Sequence, residues 1–131
     1  MSSIRTEIPL RAPPDRVWDA VRDFGAVHRR VAPGFLTDSK LDGRDMRVVT
    51  FANGAVARET LVSTDNEQRR LVYAIMEQPF KHYSASVQVF PERDGSRLVW
   101  IIDLLPDEAA GYVDQMVQQA VGVMRKTLES A

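Results

Sequence analysis

Proton transfer, or the grip on a polar ligand atom, needs a carboxylate, phenol or imidazole held out of bulk water. Few positions in this chain place one on an apolar face. Glu59 lies in the run Ala55 to Ser63, where alternation puts it in register with Ala57 and Leu61. A carboxylate on that face loses hydration, which raises its affinity for a proton and suits it to acid–base work or to holding a ligand hydroxyl. The alternatives are a cross-strand structural partner or an outward-facing charge. Tyr83 shares a face with Ala85, Val87 and Val89, whereas His82 shares one with Ser84, Ser86 and Gln88; the first set is expected inside, so Tyr83 offers a hydroxyl to the interior and His82 faces water. Asp103 interrupts the apolar run VWIIDLL on the face of Val99 and Ile101, opposite a face made of Leu98, Trp100, Ile102 and Leu104. Both faces are apolar, so parity alone leaves the side of Asp103 open. Near the C-terminus, Tyr112 and Met116 fall at helical spacing among small apolar residues. Gln119 beside them is expected either to reach the interior as a hydrogen-bonding group or to face solvent.

Much chemistry is excluded. There is no cysteine and there are two histidines, His28 and His82, in separate elements with no carboxylate at ligand spacing, so no metal site is expected. His28, beside Arg29 and Arg30, is expected at the surface. Asn53-Gly54 and Asp94-Gly95 read as turns, and no glycine-rich nucleotide fingerprint occurs, so no cofactor is expected. The formal net charge of -1 gives no field that would draw in nucleic acid. No segment approaches the 18 or so continuous apolar residues of a membrane span, so no membrane insertion is expected, and the absence of cysteine makes the cytoplasm the default compartment. Oligomeric state leaves no mark in the sequence.

The elements that position these groups are punctuated clearly. Ser3 to Leu10 alternates as a strand; Pro14 suits the first turn of a helix over Asp15 to Phe24 that buries Val17, Trp18, Val21 and Phe24. Gly25 breaks it, and Ala26 to Val31 reads as a second short helix. Six strands follow, near 35–41, 46–51, 55–63, 71–77, 82–90 and 97–105, with Asp42-Gly43 and Asn53-Gly54 read as two-residue hairpin turns. Pro106 ends the last strand, and Asp107 to about Glu129 reads as a helix about 34 Å long. One helix on a seven-stranded antiparallel sheet is an α+β arrangement, expected as a single domain over residues 1–131. A curved sheet of that width has more concave area than one helix can fill, which implies a cavity with Tyr and Met as an adaptable lining.

Four stretches, APPDRVWDAVRDF, NGAVARETLVSTDNEQRRLVY, HYSASVQVFP and GSRLVWIIDLLP, resemble the polyketide cyclase/dehydrase and lipid-transport superfamily of helix-grip proteins, which includes START-type, birch-pollen-allergen-type and abscisic-acid-receptor members. The resemblance covers nearly the whole chain and implies the helix-grip fold. By similarity to the receptors it implies Glu59 and Tyr83 as ligand-facing and Tyr73 as an aromatic pocket position, and it favours Val99, Ile101 and Asp103 facing inward. The receptors' gate loop is replaced by EQPFK, which argues against hormone reception. The expected site is thus Glu59, Leu61, Tyr73, Tyr83, Ala85, Ile101, Asp103, Tyr112, Met116 and Gln119. The function expected is binding of a small hydrophobic or amphipathic molecule between sheet and helix. The alternative is a cyclase or dehydratase acting on an aromatic polyketide-like substrate, with Glu59 or Asp103 and a tyrosine moving protons.

Overall fold

In the computed structural model, which describes residues 1–130, β1 (Ser2–Leu10) is followed by α1 (Pro14–Val21), a 3-10 turn (Phe24–Ala26) and α2 (Val27–Arg30). Then come β2 (Leu36–Leu41), β3 (Met46–Phe51), β4 (Val56–Asp65), β5 (Arg70–Ala74), β6 (His82–Glu92) and β7 (Gly95–Leu105). A second 3-10 turn (Asp107–Ala109) leads into α3 (Ala110–Ser130). The seven strands form one antiparallel sheet in the order β1-β7-β6-β5-β4-β3-β2. The meander is continuous from β2 to β7, and β1 closes beside β7. This is the helix-grip fold. No described helix is long and apolar enough to cross a membrane.

Local chemistry explains the joints. Pro14 sits at the start of α1, where its missing N–H loses no bond, and Asp15 adds a favourable charge in the first turn. The helix stops at Val21, three residues short of the sequence reading, yet Val17, Trp18, Val21 and Phe24 are all buried. Gly95 opens β7 with φ +153°, and a Cβ there would lie 2.1 Å from the Leu10 carbonyl oxygen, so glycine alone lets β7 approach the end of β1. A bulge between Leu61 and Ser63 bends β4.

Two turns differ from expectation. Phe51 N–H donates to Ala55 O and Gly54 N–H to Phe51 O, so Ala52, Asn53 and Gly54 form a three-residue loop with Gly54 at φ +88°. Likewise Asp42 N–H donates to Met46 O, leaving Gly43 to Asp45 as the tip. Each loop is one residue longer than the hairpin read from sequence, and strand register shifts accordingly.

The concave face carries Ile8, Leu10, Leu71, Tyr73, Val87, Leu98, Ile102 and Leu104, and α3 lays Val113, Val117, Ala120, Met124 and Leu128 against it, all buried. Each such side chain contributes about 1.5–3 kcal/mol relative to exposure. Near the last turn of α3, Arg11 N–H donates to Glu129 Oε2 at 2.7 Å and the Arg16 guanidinium reaches the Glu129 carbonyl at 3.4 Å, which fixes that end of the helix. At the other end Ser2 Oγ donates to Asp107 at 2.8 Å.

Candidate functional site

Between the sheet and the first half of α3 the packing stops. A cavity of about 230 Å³ remains, far above the roughly 10–15 Å³ that one trapped water needs. Its walls are chiefly apolar, and it opens between the β3–β4 hairpin, the β5–β6 loop and the start of α3. Val56 and Tyr112 at that mouth are 59% and 55% exposed.

The polar end is built by four adjacent strands, β3 to β6. The three-residue β3–β4 loop sets Arg47 directly opposite Glu59. Arg47 Nε donates to Glu59 Oε1 at 2.7 Å and its Nη1 to the Phe24 carbonyl at 3.1 Å, with both side chains buried. The guanidinium also lies 4.0 Å from the centroid of the Phe24 ring and 5.0 Å from that of Tyr73. Cation–ring attraction and two hydrogen bonds therefore offset part of the cost of removing this charge from water. Tyr73 stands opposite Ala85, and Tyr83 lies two residues before Ala85 on the same face, so the two phenols are diagonal neighbours. Burial pushes the Tyr73 hydroxyl well above the ordinary phenol range, and the Glu59 carboxylate adds to the shift. Burial does the same to Tyr83, with Tyr73 and then Glu59 as further causes. Both are therefore neutral O–H groups near neutral pH. Phe80, from the β5–β6 loop, packs on Tyr83 with ring centroids 4.8 Å apart.

The expected site residues divide. Glu59, Tyr73, Tyr83, Tyr112 and Met116 line the cavity, and Leu61, Ala85, Ile101, Asp103 and Gln119 do not. Leu61 is half-buried against the core at the β4 bulge, beyond the cavity's edge. Ala85 faces inward but is sealed at 1% exposure between Tyr73 and Ile102. For Ile101 and Asp103 the inward assignment is wrong. In the β6–β7 register Val87 faces Trp100 and Ser84 faces Asp103, so Leu98, Trp100, Ile102 and Leu104 are concave and Asp103 lies on the outer face, where Ser3 Oγ donates to it. Val99 shares that outer face even though it is buried. Gln119 is exposed: at 100° per residue it sits about 130° from the middle of the Val113–Val117–Ala120–Met124 stripe. His28 is half-buried, and its Nδ1 is enclosed without a hydrogen-bond partner.

Sequence reasoning missed Arg47, Trp100 and the loop Glu77 to Phe80, which all line the cavity. Arg47 shares its face with Val49 and Phe51, an anomaly visible in the strand MRVVTF. Trp100 Nε1 is shielded from solvent and sits beside the Tyr73 hydroxyl without a well-formed hydrogen bond. Trp18, by contrast, donates its Nε1–H to Asn66 Oδ1 at 3.0 Å. No group of three or more His, Cys, Asp or Glu among the described residues could hold a metal ion.

Comparison with known proteins agrees with this architecture. Protein XoxI from Bacillus cereus superposes with a TM-score of 0.86 at 20% identity, over 98% of this chain and 96% of its own. A Thermobifida fusca protein reaches 0.77 at 26% identity, over 98% and 91%. Ara h 8.0201, a birch-pollen-allergen-like protein, reaches 0.74 at 16% identity, over 99% of each chain. No curated protein is close enough in sequence to count as a match. Residues 1–130 match the family described as polyketide cyclase / dehydrase and lipid transport. With the seven-stranded sheet, the gripped helix and the cavity between them, the chain belongs to that family.

Proposed function

We propose that this protein binds a small hydrophobic or amphipathic molecule, as a carrier or sensor, in the cavity under the first half of α3. The observation that carries the reading is the cavity itself: about 230 Å³ of space with mainly apolar walls, ending at Arg47, Glu59, Tyr73, Tyr83 and Trp100. Apolar walls supply affinity, and a few fixed polar groups supply orientation.

The catalytic alternative finds less support. It needs an acid and a base converging within hydrogen-bond reach. Asp103 is on the far side of the sheet, and Glu59 is already bonded to Arg47. The carboxylate of Glu77, at the mouth, accepts the Arg58 backbone N–H at 3.1 Å. Burial moves both phenols upward, away from the near-neutral range that favours acid–base transfer.

Native mass spectrometry of protein taken directly from cells tests the proposal. A retained small apolar molecule is expected. It should disappear in Ala57→Phe, which fills the cavity from its half-buried edge while a thermal melt stays near wild type. A wild-type protein that is consistently ligand-free, and that takes up no naphthalene-type probe, would overturn the reading.

A further inference from the structure

The open side of the Arg47–Glu59 pair decides what the cavity can hold. Arg47 gives Nε to Glu59 Oε1 and Nη1 to the Phe24 carbonyl. Glu59 Oε2 receives no hydrogen bond and is not sealed in the packing, so it stays an acceptor at the inner end of the cavity that Glu59 lines. A carboxylate oxygen accepts and cannot donate. Tyr73 stands opposite Leu61 and is therefore diagonal to Glu59 across β4 and β5, with Tyr83 diagonal to it on the other side. The Trp100 indole N–H lies against the Tyr73 hydroxyl oxygen. An indole N–H only donates, so the proton on Tyr73 is the one left to give. The inner end thus offers an acceptor and a hydroxyl donor side by side.

Charge narrows the class. Among the cavity-lining residues Arg47 is the cation, while Glu59 and Glu77 are anions. Arg47 and Glu59 answer one another, both buried. A ligand carboxylate would lie against the free oxygen of Glu59, and a ligand ammonium against the Arg47 guanidinium. Either adds a charge that nothing at the inner end balances. Among neutral groups, a carbonyl or an ether takes the phenol O–H but leaves Glu59 Oε2 without a donor. A hydroxyl meets both, giving its proton to the carboxylate and taking one from the phenol.

Building on the binding role proposed above, we infer that the ligand is uncharged and leads into the cavity with a hydroxyl, phenolic or alcoholic, that donates to Glu59 Oε2 and accepts the Tyr73 O–H. Its apolar body then lies along Tyr83, Phe80 and Met116 toward the mouth. The bond to the carboxylate is charge-assisted and out of bulk water, which makes it the stronger of the two. A hydrocarbon of the same shape forfeits both bonds, and the methyl ether of the same alcohol forfeits the stronger one.

Four probes on one ring system separate these cases: naphthol, methylnaphthalene, methoxynaphthalene and naphthoate, all substituted at the same position. Calorimetric titration should show naphthol binding about tenfold or more tighter than methylnaphthalene, the effect of one well-made hydrogen bond to a charged group. Methoxynaphthalene should bind about as well as methylnaphthalene, and naphthoate more weakly than naphthol. Glu59→Gln keeps a carbonyl oxygen for Arg47 and puts an amide N–H where Oε2 was. Naphthol should then lose most of its lead over methoxynaphthalene while methylnaphthalene keeps its affinity. Tyr73→Phe should remove a smaller part of the naphthol affinity. The wild-type series decides the assignment even where a variant fails to fold. Naphthol no tighter than methylnaphthalene or methoxynaphthalene, a lead that survives Glu59→Gln, or tightest binding of naphthoate would overturn the hydroxyl assignment while leaving the apolar-binding role standing. If none of the four binds, both fall together.

Discussion

The two ends of α3 rest on different ground. Leu128, in the last turns, is 1% exposed and belongs to the same buried cluster as Ile8, Leu10, Val17 and Trp18, and the Glu129 bonds to Arg11 and Arg16 lock the backbone there. Tyr112 and Met116, in the first turns, lie over empty space, one exposed and one half-buried. The helix is anchored at one end and spans a void at the other, so the residues that hold the fold and those that would touch a ligand are separated along its length. The open end still contains one costly element. Arg47 and Glu59 are buried where apolar side chains would be cheaper, and their pairing is what makes them tolerable.

Breaking that pair is the most damaging change expected. Arg47→Leu leaves Glu59 buried and unpaired and should cost about 3–5 kcal/mol of stability. Adding Glu59→Leu should recover most of the loss, because the double variant strands no charge. Urea melts of the four proteins in this cycle measure the coupling; a double variant no more stable than Arg47→Leu would show that the pair is not a self-contained unit.

The contrast along the helix is tested by two truncations of similar size. Leu128→Ala removes a fully packed side chain and should cost about 2–5 kcal/mol, whereas Met116→Ala removes one that borders a void and should cost about 1 kcal/mol or less. Equal losses would mean that the first half of α3 is packed as tightly as the last.

The order of elements and the helix-grip architecture were legible because turns, alternation and helical spacing agree along this chain. The buried ion pair was hidden by a single residue. Asn53-Gly54 read as a two-residue turn places Ala52 opposite Ala55, and hence Val48 opposite Glu59. The actual loop includes Ala52, which brings Phe51 opposite Ala55 and Arg47 opposite Glu59. Strand β7 was ambiguous for a different reason. It lies between β1 and β6 and carries apolar residues on both faces, Val99 being buried on the outer one, so its own pattern cannot give its orientation. The neighbouring strand could have. Counting back from the Arg93-Asp94 turn pairs Asp103 with Ser84 on the polar face of β6 and Trp100 with Val87 on the apolar one. Nothing comparable marks the loop Glu77 to Phe80, whose place at the mouth depends on the long-range meeting of the β5–β6 connection with the start of α3.

The phenols give the open end a pH signature that the anchored end lacks. Tyr73 and Tyr83 have folded-state pKa values raised above the ordinary phenol value, so their contribution is fully present below about pH 10, the unfolded value. Above it the unfolded chain releases these protons and the folded chain keeps them. Stability should then fall by up to about 1.4 kcal/mol per pH unit for each tyrosine. Denaturant melts between neutral and strongly alkaline pH should show this slope, reduced by about half in Tyr73→Phe. A slope unchanged by that substitution would mean that the Tyr73 hydroxyl titrates as though it were in water.

The smallest effect sharpens the comparison most, because it sets two identical side chains against each other. Trp18 is 5% exposed and its indole N–H is bonded to Asn66, so Trp18→Phe loses packing and breaks a hydrogen bond; a loss of about 1–3 kcal/mol is expected. Trp100→Phe removes a donor that has no well-formed hydrogen bond, from a wall that already borders a void. Relief of the poorly matched N–H should offset the lost ring area, and the change in stability should lie within about 1 kcal/mol of zero. A residue that matters little to the fold is what an open end implies, and thermal melts of the two variants decide it: a Trp100→Phe loss as large as that of Trp18→Phe would place the indole among the anchors.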